Sequence, residues 1–182
     1  MVRVLIPLAD GFEEIEALSI VDILRRASVE VVLAGLKDGP VVSARGVRVL
    51  PDTTIDKVKA DDFEMIVLPG GQPGTDNLNA DPRVKELLIE FSQKGKLTGA
   101  ICAAPYVLAN AGILQGKKAT SYPTYKEKIT NAVYLDEDVV EDESILTSRG
   151  PATAACFAFK IVERLKGRET AENIMRAMLF KC

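Results

Sequence analysis

LTGAICAAPYVLANAGIL, residues Leu97 to Leu114, begins as a buried strand and ends as a helix, with Cys102 at the joint. A strand that runs straight into a helix is half of a β-α unit. The rest of the chain repeats that alternation. VRVLIPLA (2–9), VEVVLAGL (29–36) and FEMIVLPGG (63–71) are short apolar runs that read as strands. Such near-continuous apolar strands suit a sheet covered on both faces. EEIEALSIVDILRRAS (13–28) and DPRVKELLIEFSQKG (81–95) read as helices. The second has an aspartate cap, proline at its first position and glycine at its end. VVSARGVRVLPD (41–52) predicts two short strands about a turn, and TTIDKVKADDF (53–63) a short helix capped by threonine. KKATSY (117–122) predicts a strand, PTYKEKIT (123–130) a helical turn, and residues 132–150 short strands around an acidic turn. PATAACFAFKIVERLKG (151–167) and ETAENIMRAMLF (169–180) close the chain as helices. The expected fold class is therefore α/β: a mostly parallel sheet with helices on both faces, in one domain over residues 1–182.

Composition narrows the function classes. A net charge of −3 is a poor match to general phosphate-backbone binding, so nucleic acid is not indicated. No apolar run reaches the roughly 18 residues of a membrane span. The N-terminal apolar run is too short for a signal peptide and is followed at once by acids, so a cytoplasmic location is expected. The three cysteines, Cys102, Cys156 and Cys182, are too few and too scattered for a disulfide scaffold. Cys156 is expected in the core, and Cys182 is expected to be incidental. The chain has no histidine, which removes Ser-His-Asp and Cys-His catalysis and makes a zinc site improbable on chemical grounds. Proton transfer must then fall to a carboxylate, a tyrosine, a lysine or a thiol.

In open α/β sheets ligands bind beyond the carboxyl ends of the strands. Three segments sit at such ends: PLADGFEEIE, LPGGQPG and ICAAP. A sharp strand-to-helix turn leaves no room for side chains beside it, so small residues are needed two before and two after the nucleophile. Ala100 and Ala104 satisfy that spacing about Cys102. A thiol at a helix start faces free N–H groups, which predicts a lowered pKa. Gly70 and Gly71 allow backbone amides to turn into the site and form an oxyanion pocket with the amide of Ala103. The LPGGQPG run is neither a dinucleotide fingerprint nor a P-loop, which disfavours such cofactors. In the first helix Glu14 complements the helix dipole. Glu16 lies on an apolar line with Ile20, Ile23 and Ala27, and Glu13 on one with Ala17, Ile20 and Leu24. A carboxyl on an apolar face should have a raised pKa, and periodicity does not choose between the two. The same helix is apolar around most of its circumference, which predicts a second buried contact such as a subunit interface.

Together, ADGFEEIEAL, VVLAGL, IVLPGGQPGTDNL, GAICAAPYVLANAGIL and ILTSRGPATA closely resemble the ThiJ/PfpI superfamily, in the branch of DJ-one and the bacterial chaperone YajL. The resemblance spans essentially the whole chain. It implies a flavodoxin-like three-layer sandwich, usually homodimeric through the first helix. It implies Cys102 as the reactive cysteine and Glu16 as its carboxyl partner, which resolves the tie with Glu13. It implies the amides of Gly71 and Ala103 as oxyanion donors, and Arg26, Arg45 and Arg149 near the pocket or dimer seam. Protease relatives carry histidine directly after the cysteine, where this chain has Ala103; proteolysis is therefore not expected. Animal members place a histidine where this chain has Tyr122, a residue that can donate a hydrogen bond to substrate but cannot act as a base near pH 7.

The activity implied is a glutathione-independent glyoxalase or protein deglycase, of hydro-lyase or hydrolase type. It acts on methylglyoxal or glycated protein, requires no metal or organic cofactor, and protects against oxidative stress. The alternative is a redox-sensing chaperone whose Cys102 is oxidised to a sulfinate without turnover.

Overall fold

A computed structural model describes residues 1–182. In chain order the elements are β1 (Arg3–Leu8), α1 (Glu14–Arg26), β2 (Glu30–Gly35), β3 (Val41–Val42), β4 (Arg48–Val49), β5 (Thr53–Thr54) and β6 (Met65–Leu68). There follow α2 (Gly74–Ala80), α3 (Pro82–Gln93), β7 (Leu97–Ile101), α4 (Pro105–Asn110), β8 (Lys118–Ala119) and β9 (Val133–Tyr134). The chain ends with β10 (Val139–Asp142), β11 (Ile145–Ser148), α5 (Ala154–Lys166) and α6 (Arg168–Ala177).

The central sheet has the order β10-β11-β7-β6-β1-β2-β5. Every neighbouring pair is parallel except β10 with β11. From β1 the chain moves outward through β2 to β5, then crosses back to β6 on the other side of β1. That reversal places the ends of β1, β6 and β7 side by side, the topological switch point at which such sheets bind ligands. One face of the sheet is covered by α1, α5 and α6, packed through Ile20, Ile23, Leu24, Phe157 and Ile161. The other is covered by α2, α3 and α4, through Leu78, Leu88, Phe91 and Leu108. Both faces of the sheet are therefore dry, which is why its strands are apolar at successive positions rather than alternating. The result is the flavodoxin-like three-layer arrangement.

The cap of α3 forms as its sequence predicts, with Asp81 accepting from the amide of Arg83. Residues 41–49 form the expected hairpin of β3 and β4. Three local expectations need correction. Residues 53–63 are not one helix but the edge strand β5 followed by 3-10 turns at Ile55–Lys57 and Ala60–Asp62. Ile55 and Ala60 are both buried, and positions five apart do not share a face of an α-helix. Two separate turns bury both. Helix α2 has no counterpart in the sequence reading because GTDNLNA is rich in weak helix formers. It forms around the fully buried Thr75 and Leu78. The third correction concerns the cysteines. Cys156 and Cys182 are bonded to each other as a disulfide. Gly167 turns the chain, α6 runs back along α5, and the chain end returns to the first turn of α5, where Cys156 sits. No helix is long and apolar enough to cross a membrane.

Candidate active site

Cys102 follows β7 directly and adopts a left-handed backbone, φ +63°. Non-glycine residues seldom occupy that region, and at a cysteine it marks a constrained site. Hydrogen bonds hold the residue on both sides. Its N–H donates to the carbonyl of Ser148 on β11 at 2.9 Å, and its carbonyl accepts from the amide of Tyr122 at 2.7 Å. The turn is tight enough that Ala100 and Ala104 are both wholly buried against it, which is the packing reason for small residues at those positions.

Glu16 approaches from the first turn of α1 and is fully buried. One carboxyl oxygen, Oε2, accepts from the amide of Gly70 at 2.8 Å. The other, Oε1, has no hydrogen-bond partner within the protein, so it is the oxygen free to carry a proton or meet a ligand. Glu13 is the residue that precedes the helix; its amide donates to the carbonyl of Gly70 at 2.9 Å. That bond ties the end of β6 to the start of α1 and leaves Glu16, not Glu13, against the thiol.

Glycine is required at both positions after Pro69. A Cβ on Gly70 would lie 2.7 Å from both Cys102 Cβ and Glu16 Oε2. Gly71 has φ +94°, and a Cβ there would lie 2.3 Å from the backbone nitrogen of Glu13. The carboxyl and the thiol can approach only because position 70 has no side chain. Gly71 and Ala103 present backbone N–H groups to the sulfur of Cys102. The four groups expected to share a site are thus brought together from three separate segments: the first turn of α1, the glycines after β6 and the elbow after β7.

Their electrostatics differ from the simple expectation. Desolvation pushes the Glu16 carboxyl up to about 7, against the hydrogen bonds from Cys102 and Gly70 that favour its charged form. Burial, then the charge of Glu16, pushes the Cys102 thiol up to about 12, opposed by the amides of Ala103 and Gly71. A thiol lowered by a helix dipole does not describe this site, since α4 is only six residues long. The repulsion that raises the thiol is Glu16's own charge, and it vanishes when Glu16 is protonated. Two anions do not coexist here, so carboxyl and thiol titrate as a pair that holds on to one proton. The amides of Ala103 and Gly71 face the sulfur and favour its anion.

The remaining predicted residues fall in different places. Tyr122 lies at the rim, about 43% exposed, next to the backbone of Cys102 and with its ring 3.4 Å from where a Cβ of Gly150 would stand. Arg149 follows Ser148 at the end of β11 and pairs with Asp136 at 2.6 Å. Arg45 is exposed on the β3–β4 hairpin, whose Ala44 amide reaches the carbonyl of Phe12 at 2.7 Å. Arg26 is not in the pocket of this chain. It ends α1, ten residues from Glu16 or about 15 Å along the axis, and pairs with Asp22. The sequence reading missed Gln72 and Tyr125, whose side chains are hydrogen-bonded to each other across the segments that follow β6 and β8. Only the folded chain brings those segments together. No group of three or more Cys, Asp or Glu residues is placed to hold a metal ion.

An elbow cysteine at the switch point of a flavodoxin-like sheet, with a buried glutamate and two facing amides, defines a class of cysteine-centred α/β proteins. The model of the DJ-1/PfpI family matches residues 2–164, and the chain belongs to that family. It is 43% identical to Protein dj-1beta of Drosophila melanogaster, over 96% of this chain and 95% of that protein. It is 40% identical to a Caenorhabditis elegans protein named glutathione-independent glyoxalase DJR-1.2, over 96% of this chain and 94% of that one. The crystal structure of Drosophila melanogaster DJ-1beta superposes with a TM-score of 0.96 at 42% identity, covering 100% of this chain and 99% of that one. A structure described as oxidised Toxoplasma gondii DJ-1 also gives 0.96, at 38% identity with both chains fully covered.

Proposed function

We propose that the chain is a cofactor-independent glyoxalase or deglycase acting on methylglyoxal and its early protein adducts. The observation that carries this reading is the pairing of Cys102 with the fully buried Glu16, whose Oε1 is unpartnered. A glyoxalase-named relative at 40% identity supports it. In the reaction Cys102 adds to the aldehyde carbon, and the thiol proton ends on the former carbonyl oxygen, giving a hemithioacetal. The amides of Gly71 and Ala103 stabilise the oxyanion as it forms. Glu16 removes the proton from that carbon and returns one to the neighbouring carbon through an enediol. The product is an S-lactoyl thioester, which water cleaves to lactate and free thiol. A carboxyl with a pKa of about 7 both takes and gives that proton near neutral pH. Tyr122 and Arg149 serve at the rim, as contacts for substrate oxygens. No step requires a metal or organic cofactor, and proteolysis has no histidine to support it. Incubation with methylglyoxal, following lactate, tests the reading: wild type should form lactate over many turnovers and Cys102→Ala should form none. Equal lactate from both would overturn it.

A second reading has its own observation. A protonated Glu16 beside the sulfur can donate a hydrogen bond to a sulfinate, favouring oxidation of Cys102 and a redox-sensing chaperone role. Mass spectrometry after mild peroxide separates the two: stoichiometric gain of two oxygens on Cys102, with a single reaction per chain on methylglyoxal, favours the sensor.

We further propose a cytoplasmic homodimer formed through α1. Ile15 and Leu18 are exposed on that helix, and Val47 and Leu50 are exposed at and just beyond the adjoining hairpin. Such apolar exposure is what a covering subunit would bury. A monomer mass in sedimentation equilibrium at micromolar concentration would refute this.

A further inference from the structure

The disulfide between Cys156 and Cys182 joins the first turn of α5 to the last residue of the chain, with Cα atoms 5.6 Å apart. The groove beside it is lined by Phe159, Lys160, Glu163, Arg168, Glu172 and Met175, among others, and has a volume of about 520 Å³. None of these residues belongs to the Cys102 site. Cys182 is exposed and Cys156 half-buried, so the bond is open to a dissolved reagent. Structural disulfides of secreted proteins resist the glutathione pool, whereas exposed ones are the labile members of the class.

Little else holds the segment that the bond secures. After α6 the chain turns through Leu179, which is 90% exposed and has φ +58°. The amide of Leu179 donates to the carbonyl of Arg176 at 3.1 Å, and that of Phe180 to Met175 at 3.0 Å. The Phe180 ring meets Phe159 edge-on, with centroids 5.6 Å apart. One aromatic contact and two terminal hydrogen bonds are the contacts typical of a fraying chain end.

The geometry points to a second redox centre: Cys156 and Cys182 exchange with low-molecular-weight thiols, and opening the bond undocks residues 179–182 from α5. The incoming thiolate attacks the sulfur of Cys182, the exposed residue of the pair, forming a mixed disulfide there and expelling the thiolate of Cys156. A second thiol then displaces Cys182, leaving two protein thiols and one small-molecule disulfide. Cys156 is the better leaving group because it sits in the first turn of a 13-residue helix, where the dipole stabilises a thiolate. The groove carries side chains of both signs, Lys160 and Arg168 beside Glu163 and Glu172. It therefore suits a zwitterionic thiol peptide, and glutathione is the natural probe.

The test uses the Cys102→Ser chain, which retains only these two thiols, equilibrated in glutathione buffers from reducing to oxidising. Free thiols are trapped with N-ethylmaleimide and counted by intact mass. The expected result is two trapped thiols at the reducing end, none at the oxidising end, and a glutathione adduct on Cys182 between them. Amide exchange at Leu179 and Phe180 should rise at least about tenfold on reduction. Peptide mapping of the wild-type chain in the same buffers should give the same order and covers any misfolding of the variant. Two free thiols at every ratio, a bond that survives excess glutathione in native buffer, unchanged exchange at Leu179 and Phe180, or an adduct confined to Cys156 would each overturn the proposal.

Discussion

Cys102 and Cys156 look alike in the sequence. Each lies among alanines, in GAICAAP and TAACFAF, close to the start of a helix. In the fold they have little in common. Cys102 sits in a strained elbow, half-buried and facing a fully buried carboxyl. Cys156 lies on the first turn of a regular helix and is bonded to a partner that arrives from the chain end. The chemistry of a thiol follows from which charges and hydrogen-bond donors face its sulfur, and those come from elsewhere in the chain.

Substitutions can break that contrast. The largest effect on turnover is expected from Cys102→Ala, with lactate formation from methylglyoxal falling about 10³-fold or more. Its melting temperature should hardly move. A Cys102→Ala enzyme that still turns over would mean the two cysteines do not differ in role.

Glu16→Gln comes next, with kcat reduced about 10²- to 10⁴-fold and the inflection near pH 7 lost from the pH–rate profile. It also has a signature in stability. The Glu16 carboxyl is raised from 4.5 to about 7 in the folded state. Its favourable contribution is therefore fully present below pH 4.5 and is lost as pH rises to about 7. The loss is about 3 kcal/mol and levels off above that pH. In Glu16→Gln this decline should be absent, which urea titrations at pH 4.5, 6 and 7.5 would read. A decline of equal size in the variant would remove Glu16 as its source.

Gly70→Ala sharpens the comparison without replacing either cysteine. Its Cβ would press on both Cys102 and Glu16, so the pair must separate. We expect roughly tenfold slower turnover and about 1–3 kcal/mol of destabilisation. Full activity in this variant would show that the carboxyl need not touch the sulfur.

Cys182→Ser has the smallest expected effect on turnover, none within error. Its stability loss should be below the roughly 3–4 kcal/mol that chain entropy assigns to a 26-residue loop. Reductant should reproduce that loss in wild type and leave the variant unchanged. A drop in turnover would mean that the two cysteine sites are coupled through α5 and α1, which pack on the same face of the sheet.

Much of the site is legible before folding. The small residues about Cys102 report the tight turn, the glycines after β6 report the close approach of backbone, and the apolar line through Ile20 and Ile23 reports the burial of Glu16. Choosing Glu16 over Glu13 from the chain alone needed a family resemblance, because both lie on apolar lines. The structure buries Glu16 fully, with its Oε2 accepting from the amide of Gly70, while Glu13 is the residue before the helix. The thiol is raised, where a helix start alone predicts it lowered, for a related reason. A helix start is visible in sequence, but the burial of the sulfur and the carboxyl that opposes it, 86 residues away in the chain, are not.

The sequence by itself determined the alternation of strands and helices, the apolar two-sided sheet and the residue types at the elbow, because these depend on neighbours within a few positions. Only the tertiary structure decided that Glu16 lies against Cys102, that Gln72 meets Tyr125, and that Cys156 bonds to Cys182. Each of these depends on the distance between groups far apart in the chain, and that distance exists only once sheet order and helix packing have set it.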